Sequence, residues 1–388
     1  METPSKTELS PASLRELDVG LRKVSQLGSN VIAAWRRMPA GLQVVYVPSY
    51  QVPAVARHNP RILQLDRELR TEAEIAPLLA AGCRDATIRL ALPGGPDVPV
   101  AINDAIRLYS ITHFNCRAIA LFDIVSFSLY PPVEQTVLVN VLAHYIRLAG
   151  HQCRALGMPS ALRMTTTGDG FYVWNAHYGV GGDVALFCAV VLALSYTYAA
   201  RSIADGEALT VPRLRAGVHF GSHYEFYQGG SAGEDSGGYV VGEATIDLAR
   251  LVSKARPGHF LVGAFTRSLE PGDATAWPQL AGLPSIDTLM FMALAQESIG
   301  KLAGTPFPGG SIQSASVFFT GPRVSDNSFR IRKYYVKDKH SLVHGCYNAR
   351  VAVKAASGTE IGFGLLDEDL AHFEADFDES EDIILQFG

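Results

Sequence analysis

The stretch 162-LRMTTTGDGFYVW-174 sets a Gly-Asp-Gly turn between two largely uncharged, β-prone runs. Threonine, tyrosine, valine and tryptophan favour strands, and Gly-Asp-Gly favours a tight reversal, so a hairpin is expected with Asp169 at its tip. An aspartate there is either turn punctuation or a ligand held between two strands. Upstream, 118-AIALFDIVSFS-128 reads as a continuous apolar strand that ends on Asp123 and then turns. A carboxylate at the end of a buried strand needs compensation. Asp123 is a helix cap or a second ligand. If the hairpin pairs beside that strand, the two carboxylates meet, and they repel unless a divalent cation sits between them. Two cations about 4 Å apart could then activate a hydroxyl and steady a leaving pyrophosphate.

Working outward, residues 133–156 repeat apolar side chains at helical spacing. Residues 184–200 form an uncharged run between Asp183 and Arg201. That run is at the short limit for a membrane span, and it equally suits a helix buried between a sheet and another subunit. The buried helix is the reading adopted, with no stable membrane association. The segment 213-RLRAGVHFG-221 alternates into a strand. Residues 239–255 form a helix with Leu248, Leu251 and Val252 on one face, and 258-GHFLVG-263 a further strand. Strands alternating with helices in this way predict an α+β fold, a sheet with flanking helices. Residues 8–40 read as one amphipathic helix, followed to about residue 112 by short strands and turns with no functional reading. The stretch 302-LAGTPFPGGSIQSAS-316 looks like a linker.

Composition narrows the function classes. Of 388 residues, 48% are hydrophobic and 18% charged, and the net charge is −5 without a long Lys/Arg run, which argues against nucleic acid as partner. Five scattered cysteines without a CxxC pair indicate neither a disulfide framework nor a zinc cluster. The first twenty residues hold acidic side chains and no apolar core, so a cytoplasmic protein without a secretory signal is expected. There is no Walker A loop, and no Gly-Gly-Asp/Glu-Glu-Phe signature.

Four ordered motifs carry a resemblance. FDIVSFS, TGDGFYVW, RAGVHFG and VGEATIDLARL followed by ARPGHFLV are similar to those of the class III nucleotidyl cyclases, over roughly residues 113–270. The resemblance implies a ferredoxin-like, βαβ-rich antiparallel sheet with flanking helices. It implies Asp123, Asp169 and the backbone carbonyl of Ile124 as ligands of two Mg²⁺ or Mn²⁺ ions. It makes the amides of Val125, Ser126, Phe127 and Ser128 a cradle for the triphosphate, and Arg250 the catalytic arginine that stabilises charge on the phosphates. It further implies a homodimer whose sites are shared across the interface. His219 and Arg215 read as supports of the core or of the dimer interface.

Departures from the family pattern bear on substrate. The adenylyl lysine position is Thr165 and the adenylyl aspartate position is Tyr239, so neither purine-selecting pair is present. A pocket missing both partners should lose ordinary purine choice. Thr165 and Tyr239 as base-binding residues suit a pyrimidine, and the combination resembles the Pycsar-type pyrimidine cyclases of anti-phage defence. The expected reaction is UTP, or alternatively CTP, to its cyclic monophosphate and pyrophosphate, with the product read by a separate effector protein. An adenylyl cyclase with an atypical pocket and a degenerate nucleotide-binding sensor stay open, the latter because the family asparagine falls at Ile246, beside Asp247. The expected division is an N-terminal extension at 1–112, a catalytic domain at 113–275 and a connector at 276–325. A small β-rich C-terminal domain, resembling the sensor of some bacterial cyclase-type defence enzymes, follows at 326–370, and an acidic tail at 371–388.

Overall fold

A computed structural model describes residues 9–93, 98–203, 211–227, 238–270, 272–308, 310–325, 328–338, 341–371 and 379–383. Most of the acidic tail lies outside these residues. The chain divides into two compact units, one of residues 1–115 with 223–241 and one of residues 116–222 with 242–388.

In the first unit, helix α1 (Pro11–Ser25) precedes three antiparallel strands, β1 (Asn30–Met38), β2 (Gly41–Pro48) and β3 (Arg84–Arg89), and helix α2 (Val98–Arg107) follows. The single helix expected over 8–40 therefore ends fifteen residues early. Gln26, Leu27 and Gly28 adopt positive φ and stop α1, and the β-branched and aromatic run NVIAAWRRM turns to strand. Leu17, Leu21, Trp35, Val44 and Ile102 close one core. Arg67, 1% exposed, donates to the carbonyls of Ile62 (2.6 Å), Ala33 (3.0 Å) and Ile111 (2.7 Å).

Both long strands β4 (Ile111–Ile124) and β7 (Leu214–Tyr227) contribute to both units. Between them come helix α3 (Pro132–Ala155), the hairpin β5 (Leu162–Thr166) and β6 (Gly170–Asn175), and helix α4 (Val180–Ile203). The sheet order is β7–β4–β6–β5, a β-α-β-β-α-β succession with its first strand inside. Ala118 to Phe122 are buried, as the continuous apolar run requires. Helix α4 is the one helix among the described residues apolar and long enough to cross a membrane, yet 94% of its most apolar window is buried within the protein.

Strand β8 (Gly238–Val241) pairs with the end of β7 in the first unit. Helix α5 (Glu243–Lys254) then leads to β9 (Phe260–Gly263), parallel to β7. The rest departs from expectation. Helix α6 (Thr288–Gly300) contributes Phe291, Ala295 and Ile299 to the same core as α4. The supposed linker contains most of β10 (Gly310–Phe319). Residues 326–370 form no separate domain. Strands β11 (Ile331–Lys337), β12 (Val343–Ala355) and β13 (Glu360–Phe363) extend the same sheet, with β12 antiparallel to β9, and belong to the second unit. Proline and glycine hid an alternating strand pattern that is buried only because β9 leaves an edge to pair with.

Candidate active site

Asp123 closes β4 directly across from Gly170 on β6, and the Ile124 amide donates to the Asp169 carbonyl at 2.9 Å. The hairpin therefore pairs beside the Asp123 strand, and the two aspartates flank one end of it. Gly170 makes this approach possible, because a Cβ there would lie 1.9 Å from the Phe122 carbonyl oxygen. Gly168, at φ +100°, supplies the left-handed turn. Thr167 donates to Asp169 Oδ1 at 3.2 Å, and Thr166 accepts from the Gly168 amide.

The electrostatics fit a cation. Burial raises the Asp123 pKa, the Arg215 guanidinium opposes the rise, and the charge of Asp169 adds to it. The donor set of two carboxylates and the Ile124 carbonyl is all oxygen, as Mg²⁺ and Mn²⁺ prefer. No group of three or more His, Cys, Asp or Glu side chains suited to a metal occurs among the described residues, so phosphate oxygens would have to complete the shell.

From the sequence, Arg215 is expected to support the core or the dimer interface. The structure puts its Nε 2.6 Å from Asp123 Oδ2, with Nη1 on the Ala255 carbonyl. Its spacing along β7 gave no sign of this, since the partner lies 92 residues away. After Asp123 the backbone turns through Ser126 at φ +58°, a left-handed conformation that strains any residue but glycine. The Val125 amide is engaged by the Arg213 carbonyl at 2.8 Å, while Phe127 and Ser128 open a short 3₁₀ turn.

Arg250 lies on α5, in the second unit. Its Nη1 reaches Asp247 Oδ1 (3.3 Å) and His344 Nε2 (3.2 Å), and Nη2 reaches Asp338 Oδ2 (3.0 Å). Neither Asp123 nor Asp169 is among these partners. Tyr172, opposite Thr165 on the hairpin, donates to the Thr245 carbonyl at 3.0 Å and so ties β6 to the start of α5. Ile246 is 49% exposed on that helix. Tyr239, in the first unit, stacks on Phe226 with centroids 5.2 Å apart. Thr165 is half-buried in the second unit.

No family model matches the chain, and no curated protein does. Among solved structures, it is similar to the guanylyl cyclase Cya2, at 14% identity and TM-score 0.33 over 61% of this chain and 92% of that one. It is also similar to the adenylyl cyclase CyaB from P. aeruginosa, at 11% identity and TM-score 0.34 over 64% and 99% of the two chains. A third is the guanylate cyclase domain of RhGC from Catenaria anguillulae in complex with GTP, at 13% identity and TM-score 0.33 over 63% and 98%. Likenesses this distant leave the activity to be inferred from the chain's own residues.

Proposed function

We propose that the protein is a nucleotidyl cyclase that prefers a pyrimidine, converting UTP to 3′,5′-cyclic UMP and pyrophosphate. The observation that carries this reading is the meeting of Asp123 and Asp169 at one end of the β4–β6 pair. In the reaction the ribose 3′-oxygen attacks the α-phosphorus, its proton leaves, and the bond to the pyrophosphate oxygen breaks. Mg²⁺ or Mn²⁺, when bound, supplies the Lewis acidity that favours the alkoxide and offsets charge on the leaving group. Asp123, Asp169 and the Ile124 carbonyl would hold the ions. Arg215 keeps Asp123 ionised and oriented. The amides of Ser126, Phe127 and Ser128 receive triphosphate oxygens, and Arg250 meets the charge that develops on the phosphates. Neither aspartate is among the contacts of Arg250 within one chain, which suits a homodimer in which each site draws on both copies.

Thr165 and Tyr239, in place of the purine-selecting pairs, support a pyrimidine base; UTP is preferred over CTP on general grounds. The proposed setting is the cytoplasm, with the cyclic product a second messenger of anti-phage defence read by a separate effector. The exposed Ile246, which cannot hydrogen-bond a nucleotide, favours a second reading, a sensor that binds nucleotide without turnover. The test is incubation of the pure chain with each of the four nucleoside triphosphates and Mn²⁺, with products resolved by mass spectrometry. Cyclic UMP, lost in Asp123→Asn and Asp169→Asn, is the expected result. Conversion of ATP or GTP alone refutes the pyrimidine preference, and binding without any product supports the sensor.

A further inference from the structure

Arg250 is held by residues that reach it from a distant part of the chain. Asp338 directly follows β11, and His344 is the second residue of β12. The Asp338 side chain is 4% exposed and the Arg250 side chain 27%. A carboxylate so buried requires a compensating charge, and Arg250 Nη2 supplies it at 3.0 Å. An arginine cannot accept a hydrogen bond, so the 3.2 Å contact between its Nη1 and His344 Nε2 requires that nitrogen to be the acceptor. The imidazole proton then sits on Nδ1, which lies 3.4 Å from Asp247 Oδ1. Asp247 in turn accepts from Arg250 Nη1 at 3.3 Å. The guanidinium thus has both terminal nitrogens engaged, Nη1 by Asp247 and His344 and Nη2 by Asp338, and its plane is fixed.

We infer that Asp338 and His344 are positioning residues for Arg250, presenting its guanidinium to the phosphates in one preset orientation. The inference rests on the cyclase reading. Asp247 lies one turn before Arg250 and could follow it in any movement of α5. Asp338 directly follows β11 and His344 lies on β12, so the two register the helix against the sheet. A fixed fork is worth most where charge develops in flight, because its placement then costs nothing at the moment of reaction.

The experiment compares wild type with Asp338→Asn, His344→Gln, Arg250→Ala and the double variant Arg250→Ala/Asp338→Asn, first confirming wild-type turnover on the four nucleotides. Folding is checked by thermal melting, and His344→Gln keeps the test open if Asp338→Asn fails to fold. A loss of orientation predicts kcat about 10- to 100-fold lower in both single variants, with KM within about two-fold. Adding Asp338→Asn to Arg250→Ala should cost nothing more. Wild-type or raised kcat in both Asp338→Asn and His344→Gln, beside an impaired Arg250→Ala, overturns the inference and leaves the cyclase reading intact. Absence of turnover in wild type, or an unimpaired Arg250→Ala, overturns the reading on which it rests.

Discussion

Arg215 donates from Nε to Oδ2 of Asp123 at 2.6 Å, so the strand that follows the hairpin supplies the counter-charge for the strand that precedes it. The pair is only partly exposed, with the Arg215 side chain at 31% and that of Asp123 at 17%. Arg215 offsets the unfavourable influence of Asp169 on the Asp123 carboxylate. Arg215→Met should therefore lower stability by about 1–2 kcal/mol in chelator, as expected for a lost bond to a charged group. A cation would then be worth more to the variant than to wild type. Thermal melts with EDTA and with Mn²⁺ check this: the Mn²⁺-induced rise should be larger in Arg215→Met and absent in Asp123→Asn. Equal rises in the variant and wild type would show that Arg215 does not share the burden with the metal.

How much of this was legible in the sequence follows from the range of the interactions. The hairpin and the strand ending on Asp123 were readable because strand propensity, apolar continuity and turn chemistry are local, and they agree with the pairing found. The buried character of α4 was readable because an uncharged run has few alternatives. The contacts of Arg215 with Asp123 and of Arg250 with His344 were not, since these partners lie 92 and 94 residues away and no periodicity encodes them. The C-terminal strands were misread as a separate domain because alternation in β12 shows that a strand is half-buried without naming the neighbour. Here that neighbour is β9.

The two glycines around Asp169 do different work, and substitution should separate them. At Gly170 a methyl group would strike the Phe122 carbonyl oxygen at 1.9 Å, an obstacle made of backbone. Gly170→Ala should pry β6 from β4, displace Asp169 and reduce the proposed cyclisation by 100-fold or more, about the penalty of a 1 Å misplacement. At Gly168 nothing lies within 4 Å of the added atom, and only the φ of +100° resists it. Gly168→Ala should cost about 1–2 kcal/mol of stability and leave most activity. Paired urea unfolding and turnover measurements distinguish the two, and equal losses of activity would refute the distinction.

A buried ion network ties α4 to β4. Asp183, which brackets the apolar helix, accepts from the Ala118 amide at 3.0 Å and from Arg267 Nε at 2.9 Å. Arg267, fully buried, also reaches Asp273 Oδ2 at 2.8 Å, and Asp273 accepts from the Val180 amide at 2.7 Å. Arg267→Met would strand two buried carboxylates and should destabilise by about 3–5 kcal/mol. Replacing Asp183 by Asn, which keeps one acceptor and removes a charge, should cost less. Denaturant titration of both variants is the check, and the reverse order would contradict this account of the network.

His219 gives the second unit a built-in sensitivity to acid. Its ring packs against Gly263, where any Cβ would meet Nδ1 at 2.0 Å, and only 9% of the residue is exposed. Burial lowers its pKa to about 4; Asp247 on α5, 3.9 Å from Nε2, opposes the shift, and His344 on β12 adds to it. The unfolded chain, with a histidine near 6.5, therefore takes up the proton first as pH falls. Stability from the neutral ring is complete above about pH 6.5 and is lost progressively towards pH 4, by at most about 3 kcal/mol. His219→Asn should flatten the dependence of unfolding free energy on pH between 7 and 5, measured by urea titration at each pH. A variant that weakens with acid as steeply as wild type would place the sensitivity on another group.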